Sequence, residues 1–369
     1  METHRGGPID IVSRCKIESL TDLRMIYTPG VAKACLEIQK NPETAWDWTG
    51  IGNRVAIVTD GTAVLGLGDI GVVPSMPVME GKSAIFAEFT GISAVPILID
   101  SNDPDTIVET VCNIAPSFGA IQLEDISAPA CFEIEDKLRA RLNIPVFHDD
   151  QHGTATVSLA ALINGLKQVG KKPQDCKCLM LGTGAAGYAI TKILLDFGIK
   201  DVVLFDTGGA LYDGRTAKMN PYKQKLAEIS NKDKLQCEFK DAFTDMDIFI
   251  GVARPNMVTK EMIAKMNKGA IALPLSNPIG EITIQDALAA GAAIAADGRA
   301  INNALAYPAL FRGALDAKAT AITTAMQIAA AEKLAELAPG GELLPDILDM
   351  NVHMEVAKAV ELCWLNSQK

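Results

Sequence analysis

Residues 176–197 read CKCLMLGTGAAGYAITKILLDF, and this stretch decides the fold. The first six residues are a short apolar run of strand length. Gly182-Thr-Gly184-Ala185-Ala186-Gly187 follows at once, and apolar side chains then recur at helical spacing. Strand, glycine turn and helix in that order make the dinucleotide-binding turn of a Rossmann fold. The first glycine permits the tight turn, the second lets a pyrophosphate approach the backbone, and the third lets helix pack on strand. Free N–H groups where the helix starts, at Ala185 and Ala186, favour the phosphate charge. Asp206 ends the next apolar run, 22 residues after Gly184, where an acid can accept hydrogen bonds from ribose hydroxyls. Thr207-Gly208-Gly209-Ala210 follow it, and the first cation is Arg215. A 2′-phosphate would meet Asp206 with no adjacent positive charge, so NAD is expected over NADP, with NADP possible if another loop brings a cation.

Working outward, apolar runs at 201–206, 247–252, 269–275 and 292–296 continue the series, and others precede it at 54–59, 94–99, 118–123 and 144–148. Helical patterns at 104–114, 130–141 and 154–169 separate the earlier ones. This alternation predicts an α/β chain with parallel sheets. The expected division is an N-terminal α/β domain at 1–153, a doubly wound dinucleotide domain at 154–305, and helices at 306–369 that pack back across the cleft.

With 369 residues, 49% hydrophobic and 21% charged, the chain is globular and holds two or three domains. A net charge of −11 would repel a polyanion, which argues against a nucleic-acid partner. Eight scattered cysteines without a CxxC pair are no disulfide framework, and Cys176 and Cys178 read as one face of a strand. The N-terminus shows no signal-peptide apolar region, and no uncharged apolar run reaches the roughly 18 residues of a membrane span. A cytoplasmic protein, or an organellar one whose transit segment is gone, is expected.

Two runs finish in paired acids: Glu124-Asp125 after AIQL and Asp149-Asp150 after PVFH. Parallel strands share a carboxyl edge, so the four acids should converge there and repel one another unless a cation neutralises them. Hard oxygen ligands suit Mg²⁺ or Mn²⁺ better than zinc. The plainer alternative is helix capping by Asp125, Asp149 or Asp150. A zinc hydrolase would instead use His148 and His152 as an i, i+4 pair, but that pair is expected to straddle a strand-to-helix loop.

Further stretches then fall into place: Tyr27-Thr-Pro-Gly-Val-Ala, DGTAVLGLGDIG at 60–71, Pro77-Val-Met-Glu-Gly-Lys82, LEDISAP at 123–129, HDDQHGT at 148–154, Leu275-Ser-Asn-Pro278, and Asn302-Asn303 ahead of PALFRG at 308–313. Together these resemble the malic enzymes, specifically the small bacterial type, over about residues 20 to 330. The resemblance implies oxidative decarboxylation of L-malate to pyruvate and CO₂ with NAD(P). Tyr27 is implied as general acid and Lys82 as the base on the hydroxyl, with Asp149 beside them. Glu124, Asp125 and Asp150 are implied as metal ligands, Asn277 and Asn303 as holders of the substrate carboxylate, with Asn277 also near the cofactor, and a homodimer as the assembly. A lysine buried near a metal can have its pKa lowered for such a task. A family member working mainly as an oxaloacetate decarboxylase would carry the same residues. An amino-acid dehydrogenase needs no acid cluster, and a nucleotide-sensing module would be free to lose Lys82 or Tyr27. Two departures are visible: Ala87 replaces a frequent lysine, and the segment between Arg299 and Asn302 is short.

Overall fold

A strand covered on both faces needs a continuous apolar run rather than an alternating one, and both series of runs build parallel sheets. The structure, a computed structural model, describes residues 2–64 and 66–369; Leu65, inside the 60–71 motif, and Met1, at the start of the expected first domain, lie outside the described residues. The first sheet contains β1 (Arg54–Thr59), β2 (Ser93–Leu98), β3 (Ala120–Leu123) and β4 (Val146–His148), all parallel in the order β2-β1-β3-β4. The second contains β5 (Lys177–Leu181), β6 (Asp201–Asp206), β7 (Gly209–Ala210), β8 (Ile248–Gly251), β9 (Ile271–Pro274) and β10 (Ile294–Ala295), in the order β10-β9-β8-β5-β6-β7. Only β7 runs antiparallel, against β6. Strand order reverses at β5, and the crevice beyond its carboxyl end is where such sheets take ligands.

Three helices precede β1: α1 (Leu20–Ile26), α2 (Val31–Lys40) and α3 (Ala45–Trp48). Crossovers in the first sheet are α4 (Val72–Thr90), α5 (Pro104–Ile114) and α6 (Ala130–Arg141), and α7 (Asp149–Val169) leads into the second sheet. There α8 (Ala185–Phe197), α9 (Pro221–Ile229), α10 (Lys260–Ile263) and α11 (Ile284–Ala289) alternate with strands, before α12 (Tyr307–Asp316), α13 (Thr324–Leu337) and α14 (Met350–Ser367). Burial decides which faces meet. One apolar cluster runs from Ile57 and Phe86 through Leu159 and Leu162 to Met180, Phe311, Leu334 and Val356. α13 packs on α7, while α12 and α14 pack on α4.

Two local features differ from expectation. Two-residue β7 is too short to leave a periodic signal. α7 starts at Asp149 rather than near Thr154, because Glu135 of α6 accepts hydrogen bonds from the His148 N–H and from the side chains of Gln151 and His152, which holds the first turn in helical form. Neither acid pair caps a helix by its side chain: the residues preceding α6 and α7 are Pro129 and His148, and neither caps. Asp125 instead adopts a left-handed backbone, φ 54°, a conformation that costs free energy in a non-glycine residue and concentrates at functional sites.

Candidate active site

At the glycine turn each position has its own steric reason. Gly182 has φ +116°, and a Cβ there would lie 2.8 Å from the Val252 carbonyl oxygen. A Cβ on Gly187 would come within 2.0 Å of the Gly182 carbonyl oxygen, so only glycine lets α8 lie this close to β5. Gly184 is different. Nothing among the described residues lies within 4 Å of its notional Cβ, and with Ala185 and Ala186 it lines a cleft of about 830 Å³. Thr62, Ser127 and Asp150, which follow strands of the first sheet, line the same cleft, as do Asn277 and Asn303. The cleft therefore brings the carboxyl edges of the two sheets face to face.

Asp206 requires a correction. The sequence suggested an acid with no adjacent cation, but Arg215 forms a two-pronged pair with it at 2.9 and 2.8 Å, and Lys223 Nζ lies 2.6 Å away. The chain folds back after β7, and α9 carries Lys223 to the end of β6; cations 9 and 17 residues downstream become neighbours. Burial opposes the charge of Asp206, yet these partners hold its carboxyl well below the usual range. The argument for NAD over NADP from a missing cation does not survive.

On the acid side, oxygens of Glu124, Asp125 and Asp150 all lie within 4.8 Å of one another, the only such group of metal-competent side chains among the described residues. Glu124 and Asp125 are buried, Asp150 faces the cleft, and the Asp125 N–H donates to Asp150 Oδ2 at 2.9 Å. Burial, and after it the neighbouring carboxylates, push Glu124 well above the ordinary carboxyl pKa despite Lys82. Packed hard-oxygen donors short of positive charge are a donor set that fits Mg²⁺ or Mn²⁺.

Lys82, on α4, is the cation nearest them. Its Nζ lies 3.1 Å from Glu124 Oε1, bonds Asp149 Oδ2, and reaches Asn303 Oδ1 at 3.5 Å. Gly153 makes the Asp149 contact possible, since a Cβ there would collide with Asp149 Oδ1. Burial alone would lower the Lys82 pKa, but Asp149 and Glu124 outweigh it and the ammonium is held well above its ordinary value. The lowered pKa expected from burial is thus reversed by the acids beside it.

Sequence reasoning missed the supports. Tyr307 lies with its ring 4.4 Å beneath Lys82 Nζ, fixed by edge contacts of Phe86 with Tyr307 and with Phe311. Its buried hydroxyl has no hydrogen-bond partner among the described residues. Glu135 also holds Arg139 at 2.8 Å and His152 Nε2 at 3.0 Å. A signal for Glu135 did exist: with Cys131 and Leu138 it repeats on the buried face of α6. The expected loop between the two histidines is absent, since α7 begins at Asp149 directly after His148 and His152 lies in its first turn; it is the pairing of His152 with Glu135 that disfavours the zinc reading. Asn277 lines the cleft. Tyr27 is not brought to the site within one chain: it sits between α1 and α2, 67% exposed.

A Rossmann-type sheet joined to a second parallel sheet across such a cleft is the architecture of nicotinamide-dependent oxidoreductases with a two-part active site. The family models for the malic enzyme N-terminal domain and the malic enzyme NAD binding domain match residues 10–139 and 151–363. The chain belongs to the malic enzyme family. It is 46% identical over 364 residues to the bifunctional malic/malolactic enzyme of Bacillus subtilis, covering 96% of this chain and 89% of that protein. It is 43% identical to the NADP-dependent malic enzyme of Haemophilus influenzae, over 90% of this chain and 45% of that longer protein. The crystal structure of the NAD-dependent malic enzyme of Thermotoga maritima superposes with a TM-score of 0.94 at 41% identity, over 98% of each chain.

Proposed function

We propose that the cleft oxidatively decarboxylates L-malate to pyruvate and CO₂, with NAD or NADP as hydride acceptor and Mg²⁺ or Mn²⁺ held by Glu124, Asp125 and Asp150. The observation that carries this reading is a partly buried lysine, Lys82, placed between Asp149, Glu124 and Asn303 where the acid cluster meets the cleft of the glycine turn. A bound dinucleotide would supply the hydride acceptor, and a divalent cation held by Glu124, Asp125 and Asp150 would supply Lewis-acid polarisation of the carbonyl for loss of CO₂. The protein's own groups move the protons. Lys82, oriented by Asp149, is the group placed to take the malate hydroxyl proton, a role that requires the acids' hold on its ammonium to be relieved when a divalent cation neutralises them. The amides of Asn277 and Asn303 hold the substrate carboxylate. Gly184 leaves room for the pyrophosphate at the start of α8, whose N–H groups bind it.

A homodimer is part of the proposal. α1 and α2 bury none of their residues, and Leu20, Met25, Tyr27 and Leu36 are exposed. A second copy over this strip would cover it and carry Tyr27 to the site as the proton donor for C3 after CO₂ leaves. No described helix is long and apolar enough to cross a membrane, and the eight cysteines are free; we place the enzyme in the cytoplasm. The direct test follows NADH and NADPH formation from malate with and without Mn²⁺, beside oxaloacetate decay without cofactor. Oxaloacetate decay with no malate oxidation would replace this reading by a plain decarboxylase.

A further inference from the structure

We infer that Tyr307 is a positioning residue for the oxidation step: the face of its ring holds the tip of Lys82 where the malate hydroxyl gives up its proton. The inference rests on the malate reading above and deepens it.

Two helices meet here through interlocking side-chain pairs. Lys82 and Phe86 stand one turn apart on α4, and Tyr307 and Phe311 one turn apart on α12, so each pair shares a face of its helix. Phe86 meets Tyr307 edge-on at 4.9 Å and 74°, and meets Phe311 the same way at 5.4 Å, while Phe311 in turn meets Phe147 of β4 at 5.4 Å. All four rings are fully buried. The Tyr307 ring is thereby fixed from the side, with its face 4.4 Å from Lys82 Nζ. β4 ends at His148, directly before Asp149, so the same rings brace the strand that delivers another partner of Lys82.

What the ring adds follows from the other partners of Lys82. An ammonium on a flexible stem points wherever its contacts hold it, and Asp149, Glu124 and Asn303 hold this one by charge or hydrogen bond. Glu124 belongs to the proposed cation site and Asp149 adjoins Asp150, so their hold weakens with the same neutralisation that frees the amine as base. The ring has no net charge and no part in that site, and its contact with Lys82 stays. A π face also attracts an ammonium more than a neutral amine. Its pull therefore grows as Lys82 takes the hydroxyl proton, and an interaction stronger in the transition state than before it raises the rate of the step rather than substrate binding. The phenol is not involved, since its hydroxyl has no hydrogen-bond partner among the described residues.

The test compares the parent with Tyr307→Phe, Tyr307→Leu, and proteins carrying mono-, di- and trifluorinated phenylalanine at position 307, because ring fluorines drain the π face while nearly keeping its shape. Reduced-dinucleotide formation from malate is followed in a single turnover with Mn²⁺ and whichever of NAD or NADP the parent reduces, so that product release does not mask the step. Tyr307→Phe should stay within about twofold of the parent, and Tyr307→Leu should be slower by about 2- to 30-fold, the equivalent of one cation–π contact. Rates of the fluorinated proteins should fall in order of fluorine count toward the leucine rate. Their half-saturating malate concentration, their Mn²⁺ affinity by electron paramagnetic resonance and their urea midpoints should match those of Tyr307→Phe, a split that a purely structural ring would not give. The fluorine series decides alone if the leucine protein does not fold. A flat rate across that series, or a loss in Tyr307→Phe as large as in Tyr307→Leu, would overturn the role of the ring face. A folded parent that oxidises no malate would overturn the malate reading itself, and this inference with it.

Discussion

The two walls of the cleft are built in opposite ways. The nucleotide wall comes from one contiguous stretch, in which a strand, three glycines and a helix start fix the backbone within twelve residues. The acid wall draws one side chain or pair from each of four segments, α4, the end of β3, the β4–α7 junction and the loop before α12, and it holds only through contacts between them. A site made of backbone shape is local, whereas a site made of charge is a property of the fold. Substitutions on the two walls should therefore fail differently.

The largest effect should come from Lys82→Ala, because no other described cation meets the acids at this point. Malate oxidation should fall by about 10²–10⁴-fold, the range for general acid–base groups, while nucleotide-fragment affinity measured by calorimetry stays unchanged. Equal loss of both would mean that the walls are not separable. Mixing Tyr27→Phe with Lys82→Ala protein extends this test across subunits: if each site takes its tyrosine from the partner, exchange restores one working site per heterodimer, and no recovery places both groups in one chain.

Next comes Glu135→Gln, which touches no cleft residue yet loosens the turn carrying Asp149 and Asp150. Removing such an outer support typically costs 10- to 100-fold in metal affinity or activity, read here as weaker Mn²⁺ binding by electron paramagnetic resonance without substrate. Unchanged Mn²⁺ affinity would show that the first turn of α7 holds without it.

The glycines give the sharpest contrast on the other wall. Gly187→Ala should cost about 1–3 kcal/mol of stability from overpacking, seen as a lower urea midpoint. Gly184→Ala meets no packing neighbour within 4 Å among the described residues, so it should unfold like the parent and lose only affinity for nucleotide fragments such as 5′-AMP. Should both destabilise alike, Gly184 is structural and the cleft reading of that position is wrong.

The smallest effect is in acid. Burial would raise Glu135, but His152 and Arg139 outweigh it and hold the carboxyl at about 2. A depressed carboxyl stabilises the fold above its unfolded pKa of roughly 4.3 and loses that contribution as pH falls through its folded value. Urea midpoints of parent and Glu135→Gln should thus differ most near pH 5 and converge toward pH 2. A gap that persists at pH 2 would assign the stabilisation to packing.

Legibility followed the same division. β1 and β6 occupy the residues their apolar runs mark, and α5 and α6 match their helical patterns, because burial on both faces of a parallel sheet writes itself into consecutive side chains. Paired acids at two strand ends were likewise enough to expect convergence, since parallel strands share an edge. The start of α7 was misplaced because its first turn is held by Glu135 from another helix, and β7 left no pattern at all.

By itself, then, the sequence determined the two-sheet architecture, the glycine turn and the meeting of the acids, since periodicity, missing Cβ atoms and strand direction are properties of neighbouring residues. The tertiary structure alone decided the charge state of each site. Arg215 and Lys223 reverse the sign of the field at Asp206, Asp149 and Glu124 turn the expected pKa shift of Lys82 upward, and Tyr27 is left outside the cleft of its own chain. The physical reason is range: packing patterns are set over a few residues, whereas an ionisable group responds to whatever charge lies within a few ångströms in space.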